Sequence, residues 1–533
     1  MAFAARRWAV AEQNPRTRRG PAAWRWPAVV GAVLCLLTIP PIALAAIRVP
    51  ADSVFSGYVV IARDAYVYQA MWRTGWQGAW LFHSAFTAET LPGIVLYSWY
   101  LWPAHLLGWA AGPWLYHLAR VAAAGALLAA VFMLTGELFR PRLLRRWAFL
   151  LCVLGGGVGA LLPSEVHIGP VVTRATEMSV PGTSVADLIA MAPHLSWAMA
   201  LMCLTMVAGL RLRHRASRRW LLGGIAAILG LQLIYPQLAL LAVGALLGWS
   251  IVRRHRHAGW FALAGALVQL PYLIYLFWVW RTTPAALSVI RPVLEVGDPF
   301  GFLVLSHLMA SGLIVVAIWR RRLRGDLLLP ALWIAGMTIF MFSPGISGVL
   351  GRSFMASSIP FGLCATPGLL ALLREVRGLR WRRRLLAVAL TASSFFGIFS
   401  LAQAYWVAGF RLDPRAEYES RAEAVLLARL APQVSARDLV LTTYLDGIFV
   451  PAQTDARVFA GHPEMTIDAP RKSSEALAFF HDWDQVERAR FLAANHIDYV
   501  LTTDGEATGS LERDPGLRLI EREGGAALFE VTR

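Results

Sequence analysis

Asp64 follows the first long apolar run of the chain, in Ile61-Ala-Arg-Asp-Ala-Tyr-Val-Tyr-Gln-Ala-Met-Trp72. An aromatic-rich segment at a membrane surface is a poor place for a purely structural carboxylate. It is a good place for a general base whose substrate head group lies at that surface. The pattern Asp64-x-Tyr66-x-Tyr68, followed by Gly75 and Gly78, predicts a short amphipathic helix lying on the surface and ending at glycine. The plainer reading is a solvated loop aspartate paired with Arg63.

Two cations stand out. Arg120 sits inside the apolar run Leu115-Tyr-His-Leu-Ala-Arg-Val-Ala-Ala-Ala-Gly125, with His117 three residues earlier on the same helical face. An ionisable residue within a span points to function by default, and snorkelling to the interface is the alternative. Arg352 opens the run Gly351-Arg-Ser-Phe-Met-Ala-Ser-Ser-Ile-Pro-Phe361. A guanidinium matches the two-pronged geometry of a phosphate, whereas an interface anchor needs only the charge. His194 stands at a span entrance in Met191-Ala-Pro-His-Leu-Ser-Trp197, and His83 and Glu89 lie in the segment after Asp64. Glu165, His167, Arg174, Glu177 and Asp187 are further polar residues that cannot be ranked. Gly461-His-Pro-Glu-Met-Thr466 reads as a tight loop after a strand, structural or a lid over the site.

These residues are set in a chain of 533 residues that is 57% hydrophobic and only 16% charged, with 22 Trp. Soluble domains carry roughly 25% charged residues. Many apolar runs reach the roughly 20 residues that cross a bilayer. They predict an all-α polytopic membrane protein. The net charge of +17 comes largely from short basic loops at 142–146, 211–219, 253–257, 320–324 and 380–384. That is the pattern of cytoplasmic loops, not of a nucleic-acid stripe, so no nucleic-acid partner is expected. The four cysteines lie in apolar runs and read as small hydrophobes.

The expected spans are 27–47, 114–138, 147–162, 195–210, 220–234, 236–252, 260–280, 301–319, 327–343, 354–373 and 385–408. The run 92–110 is crowded with Trp and Tyr and suits the interface. About 11–13 transmembrane helices result. Residues 1–26 form a basic cytoplasmic N-terminus. Loops 48–91, 163–194, 281–300 and 344–353 share the outer face. Residues 411–533 predict a small extracytoplasmic α/β domain. Its reading is a helix over 416–430, strands over 438–443, 457–460 and 497–503, helices over 473–481 and 485–495, and a hairpin at Gly524-Gly525. The expected location is an integral plasma or inner membrane.

The sequence has no phosphate-binding Gly-x4-Gly-Lys-Ser/Thr loop, no His-Glu-x-x-His and no Gly-x-Ser-x-Gly. It does resemble the glycosyltransferase C superfamily, which includes protein O-mannosyltransferases and aminoarabinose transferases. The resemblance rests on Asp64 with Tyr66 and Tyr68, on Ala119-Arg120-Val121 before a small-residue helix, and on Arg352-Ser353 with Pro360. It spans roughly residues 27–410. Ala65 replaces a second acidic residue, Glu89-Thr-Leu-Pro92 replaces a Lys-Pro-Pro, and Ser353 replaces a Tyr. The chain is also similar to bacterial membrane proteins with a Gly-His-x-Glu-Thr-like motif in an outer domain.

The resemblance implies an inverting transfer of a sugar from a polyprenyl-phosphate carrier to a protein, lipid or glycan acceptor outside the membrane. Asp64 would be the base, and Arg352 and then Arg120 would hold the donor phosphate. His194, His83, Glu89, Tyr66 and Tyr68 would support the site. No cofactor is required, although a divalent cation could bridge Asp64 and His194. The other classes left open are a non-catalytic binder of lipid-linked sugar and a lipid or oligosaccharide transporter.

Overall fold

The computed structural model describes residues 22–108, 112–157, 161, 166–168, 171–173, 182–283, 301–341, 351–410 and 417–532. Glu165, Arg174 and Glu177 lie outside them, as do most of the 281–300 and 344–353 loops. The side chains of His167 and Arg352 are outside as well.

The apolar runs form helices close to where composition places them. Among the described residues, five are long and apolar enough to cross a bilayer: Trp24–Ile47, Gly112–Leu138, Pro193–Leu212, Pro236–Arg253 and Arg256–Thr282. The first is interrupted between Leu37 and Pro40, where Pro40-Pro41 cannot continue the hydrogen-bond ladder. The pair Arg218–Ile234 and Pro236–Arg253 breaks at Tyr235, held extended (φ −143°) before Pro236. Ser358–Glu375 and Leu379–Phe410 follow the expected runs.

Other runs come out shorter. The helix expected over 147–162 is Arg142–Val153, twelve residues or about 18 Å. Residues 301–319 divide into a π-turn, Gly301–Leu305, and a helix, Leu308–Trp319. The break falls at buried His307, which stacks on Phe361 at 3.9 Å and bonds Ser357 at 2.9 Å. Within 92–110 the helix is Ser98–Leu107, ten residues long, and the chain reverses at Gly108 (φ 71°). At about 15 Å it is too short to cross a bilayer alone.

The C-terminal residues build a five-stranded sheet. Strands β5 (Leu439–Leu441), β6 (Arg457–Val458) and β7 (Tyr499–Thr502) are parallel, with β5 between the other two. The hairpin β8 (Leu517–Glu523) and β9 (Ala526–Val531) adds antiparallel to β7. Helices Ala469–His481 and Gln485–Ala494 accompany the sheet, and Phe459, Phe479, Phe480, Leu492, Val500 and Phe529 belong to its core. One further helix, Gly505–Leu511, is not anticipated by the apolar pattern.

The helix expected from 416 begins only at Arg421. Residues Tyr418–Ser420 form instead a strand (β4) that pairs antiparallel with Ser53–Phe55 (β1). A three-residue strand carries no periodicity, so its pairing cannot be read locally. The consequence is spatial: the segment after the first apolar helix is built into the C-terminal domain.

Candidate functional site

Asp64 occupies the first turn of helix Ala62–Trp76. A carboxylate there meets unpaired backbone N–H groups and the positive end of the helix dipole. The helix does end near glycine, with Gly78 at φ 103°. It does not lie open on a surface, however. Ala62, Ala65, Tyr66, Val67, Tyr68, Ala70 and Met71 are all buried. Its two faces explain why. Tyr66, Gln69 and Arg73 recur at helical spacing and meet the C-terminal domain. Tyr66 packs edge-on against Phe449 at 4.8 Å, Gln69 donates to the Ala452 carbonyl at 3.4 Å, and Arg73 pairs with Asp455 at 2.6 Å. Tyr68 and Trp72 share the opposite face, which is the Asp64 face. Tyr68 stacks on Tyr100 at 4.6 Å, and Trp72 donates to the Gly108 carbonyl at 2.9 Å.

That second face walls a cavity of about 160 Å³, bordered by Tyr58, Tyr68, Trp72, Trp99, Tyr100 and Tyr116 among others. Asp64 is one helical turn before Tyr68. Its charge acts on Tyr100 and Tyr116, both of which line the cavity.

Asp64 also meets the C-terminal domain directly. His462 Nε2 is 3.3 Å from Asp64 Oδ1. The Glu464 backbone N–H donates to His462 Nδ1 at 3.2 Å. Nδ1 is therefore the acceptor, Nε2 carries the proton, and His462 donates to the carboxylate. The His462 side chain is 4% exposed and that of Asp64 is 39% exposed. Thr466 shapes the loop. Its hydroxyl accepts from the N–H groups of Gly461 and His462 and donates to the Phe86 carbonyl at 2.6 Å. Gly461 is required by close approach, since a Cβ there would lie 2.4 Å from the Gly447 carbonyl oxygen.

The parallel strands explain the location. Ligand sites in open α/β sheets gather beyond the carboxyl ends of the strands, where the connections diverge from a central strand. Here that edge carries Thr443, Asp446, Gly461, His462 and Thr503, and the carboxylate of Asp446 accepts from both threonine hydroxyls at 2.8 and 2.9 Å. Tyr444 lies at the same edge. Burial pushes its hydroxyl up to about 12, and Arg63 and Glu464 are close enough to act on it.

Compared with family models and with curated proteins, the chain matches none.

The other expected site residues separate into distinct places. His194 is buried, with Nδ1 2.7 Å from the Tyr100 hydroxyl and Nε2 2.9 Å from the Tyr235 hydroxyl. With both nitrogens engaged, it does not fit as a metal ligand shared with Asp64. Among the described residues, no three His, Cys, Asp or Glu side chains are grouped to hold a metal. His194 connects to the candidate site through Tyr100 and through Tyr68, whose ring is 5.0 Å away.

Arg120 is 3% exposed and does not snorkel. It donates to the Thr38 hydroxyl at 2.7 Å, the Ile189 carbonyl at 2.9 Å and His117 Nδ1 at 3.4 Å. His117 in turn bonds the Gly57 carbonyl at 2.7 Å. These contacts tie the break in the first apolar helix to the segments at Gly57 and Ile189.

Glu89 accepts from Lys472 at 2.6 Å and from Thr87. Burial opposes ionisation of Glu89, but the bonds from Lys472 and Thr87 outweigh it and hold the carboxyl below its ordinary value. His83 bonds the Leu91 carbonyl at 3.1 Å beside the Phe82–Ile94 bridge. Arg352 belongs to the turn Gly351–Phe354, just before Ala356, whose N–H donates to the Gly182 carbonyl at 2.7 Å. Asp187 accepts from the Gly182 N–H at 2.6 Å, which is a structural bond.

Sequence reasoning took the Gly461–Thr466 loop as structural or as a lid, without joining it to Asp64. The signal was present in the residue types, but 398 positions separate the partners.

Proposed function

We propose that this protein is an integral membrane glycosyltransferase. It takes a sugar from a polyprenyl-phosphate carrier and transfers it to a hydroxyl acceptor at the outer face. The observation that carries the reading is the Asp64 carboxylate, oriented by a hydrogen bond and set one helical turn from an aromatic-walled cavity.

The acceptor oxygen attacks the anomeric carbon as the carbon–oxygen bond to the lipid phosphate breaks. Asp64 takes the acceptor proton, and polyprenyl phosphate leaves with the bonding electron pair. One displacement inverts the anomeric centre. A carboxylate with an ordinary pKa of ~4 is a weak base for an alcohol, so proton transfer runs late, as charge develops. The leaving phosphate is already anionic and needs a cation rather than a proton. Arg352 fills that role in this reading. The cavity takes the first apolar units of the carrier, where aromatic walls exclude water. The N-terminus faces the cytoplasm, about 11–13 helices span the bilayer in a glycosyltransferase C arrangement, and the C-terminal domain lies outside.

The test is Asp64→Asn. It should abolish transfer from polyprenyl-phosphate sugars while polyprenyl lipid still copurifies, as seen by mass spectrometry. Full turnover in that variant sinks the reading. One observation favours a non-catalytic binder instead: the Arg120 guanidinium is directed at three protein acceptors. Lipid copurification with no transfer by the unaltered protein supports that second reading.

A further inference from the structure

We propose that His462, supplied by the C-terminal domain, is a positioning residue for Asp64. The inference rests on the transferase reading of Asp64 and adds to it the part played by the outer domain.

The geometry has three parts. The imidazole is buried and fixed from behind, because the Glu464 N–H occupies Nδ1. The loop that carries it is fixed in turn, because the Thr466 hydroxyl holds two of its N–H groups and is anchored to the Phe86 carbonyl. Its Nε2–H is directed at Asp64 Oδ1. The one unprotonated nitrogen of the ring, Nδ1, is taken up by the Glu464 N–H, so His462 is not itself the base. It orients the carboxylate, and the second oxygen of Asp64 takes the acceptor proton.

An aspartate on the first turn of a helix, with 39% of its side chain exposed, has several rotamers open to it. A donor held in a rigid loop favours one. Rate depends steeply on such alignment, since displacements near 1 Å can cost about a hundredfold. A donor from a second domain also makes the base competent only when the two domains are docked.

Gln is the diagnostic replacement, because its amide nitrogen reaches about as far as Nε2 and donates in the same direction. Leu fills the space without donating. Turnover would be read as release of polyprenyl phosphate from decaprenyl-phospho-mannose, -glucose and -arabinose by membranes holding the full chain. His462→Leu should lower kcat by roughly ten- to a hundredfold with KM for the donor unchanged. His462→Gln should recover most of that loss.

Three results overturn the proposal. One is wild-type turnover in His462→Leu, which removes the positioning role and leaves the Asp64 reading intact if Asp64→Asn is inactive. Another is equal loss in the Leu and Gln variants with equally lowered melting temperatures, which assigns His462 to scaffold only. The last is no release by the unaltered protein from any of the three donors, in which case both readings fall together.

Discussion

Lys472 Nζ lies 2.6 Å from the Glu89 carboxylate, joining a helix of the C-terminal domain to the segment that follows the Asp64 helix. The lysine side chain is 2% exposed and that of the glutamate 40%. The two partners respond unequally. Burial opposes ionisation of Glu89, but the bonds from Lys472 and Thr87 together hold its carboxyl below the ordinary value, whereas burial lowers the Lys472 pKa despite Glu89. The lysine is the more buried of the two and its desolvation dominates, so the pair fixes position more than it adds net stability.

The asymmetry gives a prediction. Glu89→Ala leaves a buried ammonium short of its partner and should cost roughly 1–3 kcal/mol. Lys472→Met removes the buried charge, and the half-exposed Glu89 turns to water. It should cost less. Melting of detergent-solubilised variants tests the order, and a larger loss in Lys472→Met refutes the argument.

Glu419 in β4 predicts a pH dependence. Burial raises its carboxyl to about 7, the nearby Asp446 adds to the shift, and a bond from Gln453 opposes it. The folded state therefore holds this proton more tightly than the unfolded state. Its contribution is fully present below the ordinary value near 4.5 and is lost as pH rises to about 7. Glu419→Gln removes the titration and keeps an acceptor for Gln453. The melting temperature of the variant should fall less than that of wild type between pH 5 and 7.5. Parallel curves would count against the shift.

The β1–β4 ladder reports sidedness. Ser53 and Ser420 are directly paired across it. Opposed antiparallel residues have Cα atoms about 4.5–5.5 Å apart, within reach of a disulfide. A Ser53→Cys, Ser420→Cys chain should be oxidised as isolated from cells if this ladder faces an oxidising outer compartment. A pair that stays reduced in cells yet closes with oxidant after lysis would put the domain on the cytoplasmic side.

The cavity is tested by filling it. Ala119 lines it from a different helix, Gly112–Leu138. Ala119→Phe should reduce copurified polyprenyl lipid severalfold without lowering the yield of folded protein. Undiminished lipid would show that the carrier binds elsewhere.

Much of the fold was legible because apolar runs and breakers act locally. The Tyr235-Pro236 boundary, the end of the Asp64 helix near Gly78 and the hairpin at Gly524-Gly525 all stand where the residues indicate. The short helices were not. Sustained apolarity over 147–162 does not reveal that the helix stops at Val153. The site was legible in part. Asp64 could be singled out by its neighbours, but the partner it takes is set by the tertiary fold. His194 looked like a ligand because its Tyr100 and Tyr235 partners are distant in sequence.

The pairing of Ser53–Phe55 with Tyr418–Ser420 sets an order on biogenesis. The first strand is synthesised more than 360 residues before its complement. At typical rates of about 5–20 residues per second, it waits roughly 20–70 s with an unpaired edge. Throughout that interval the Asp64 helix also lacks the surface that buries its Tyr66 face. A ribosome that stops early therefore releases a chain with an exposed strand and an uncovered aromatic ridge, both of which chaperones and proteases can recognise. Synthesis of Tyr418–Ser420, Phe449 and the His462 loop conceals both, so the candidate site matures only in chains translated past that loop.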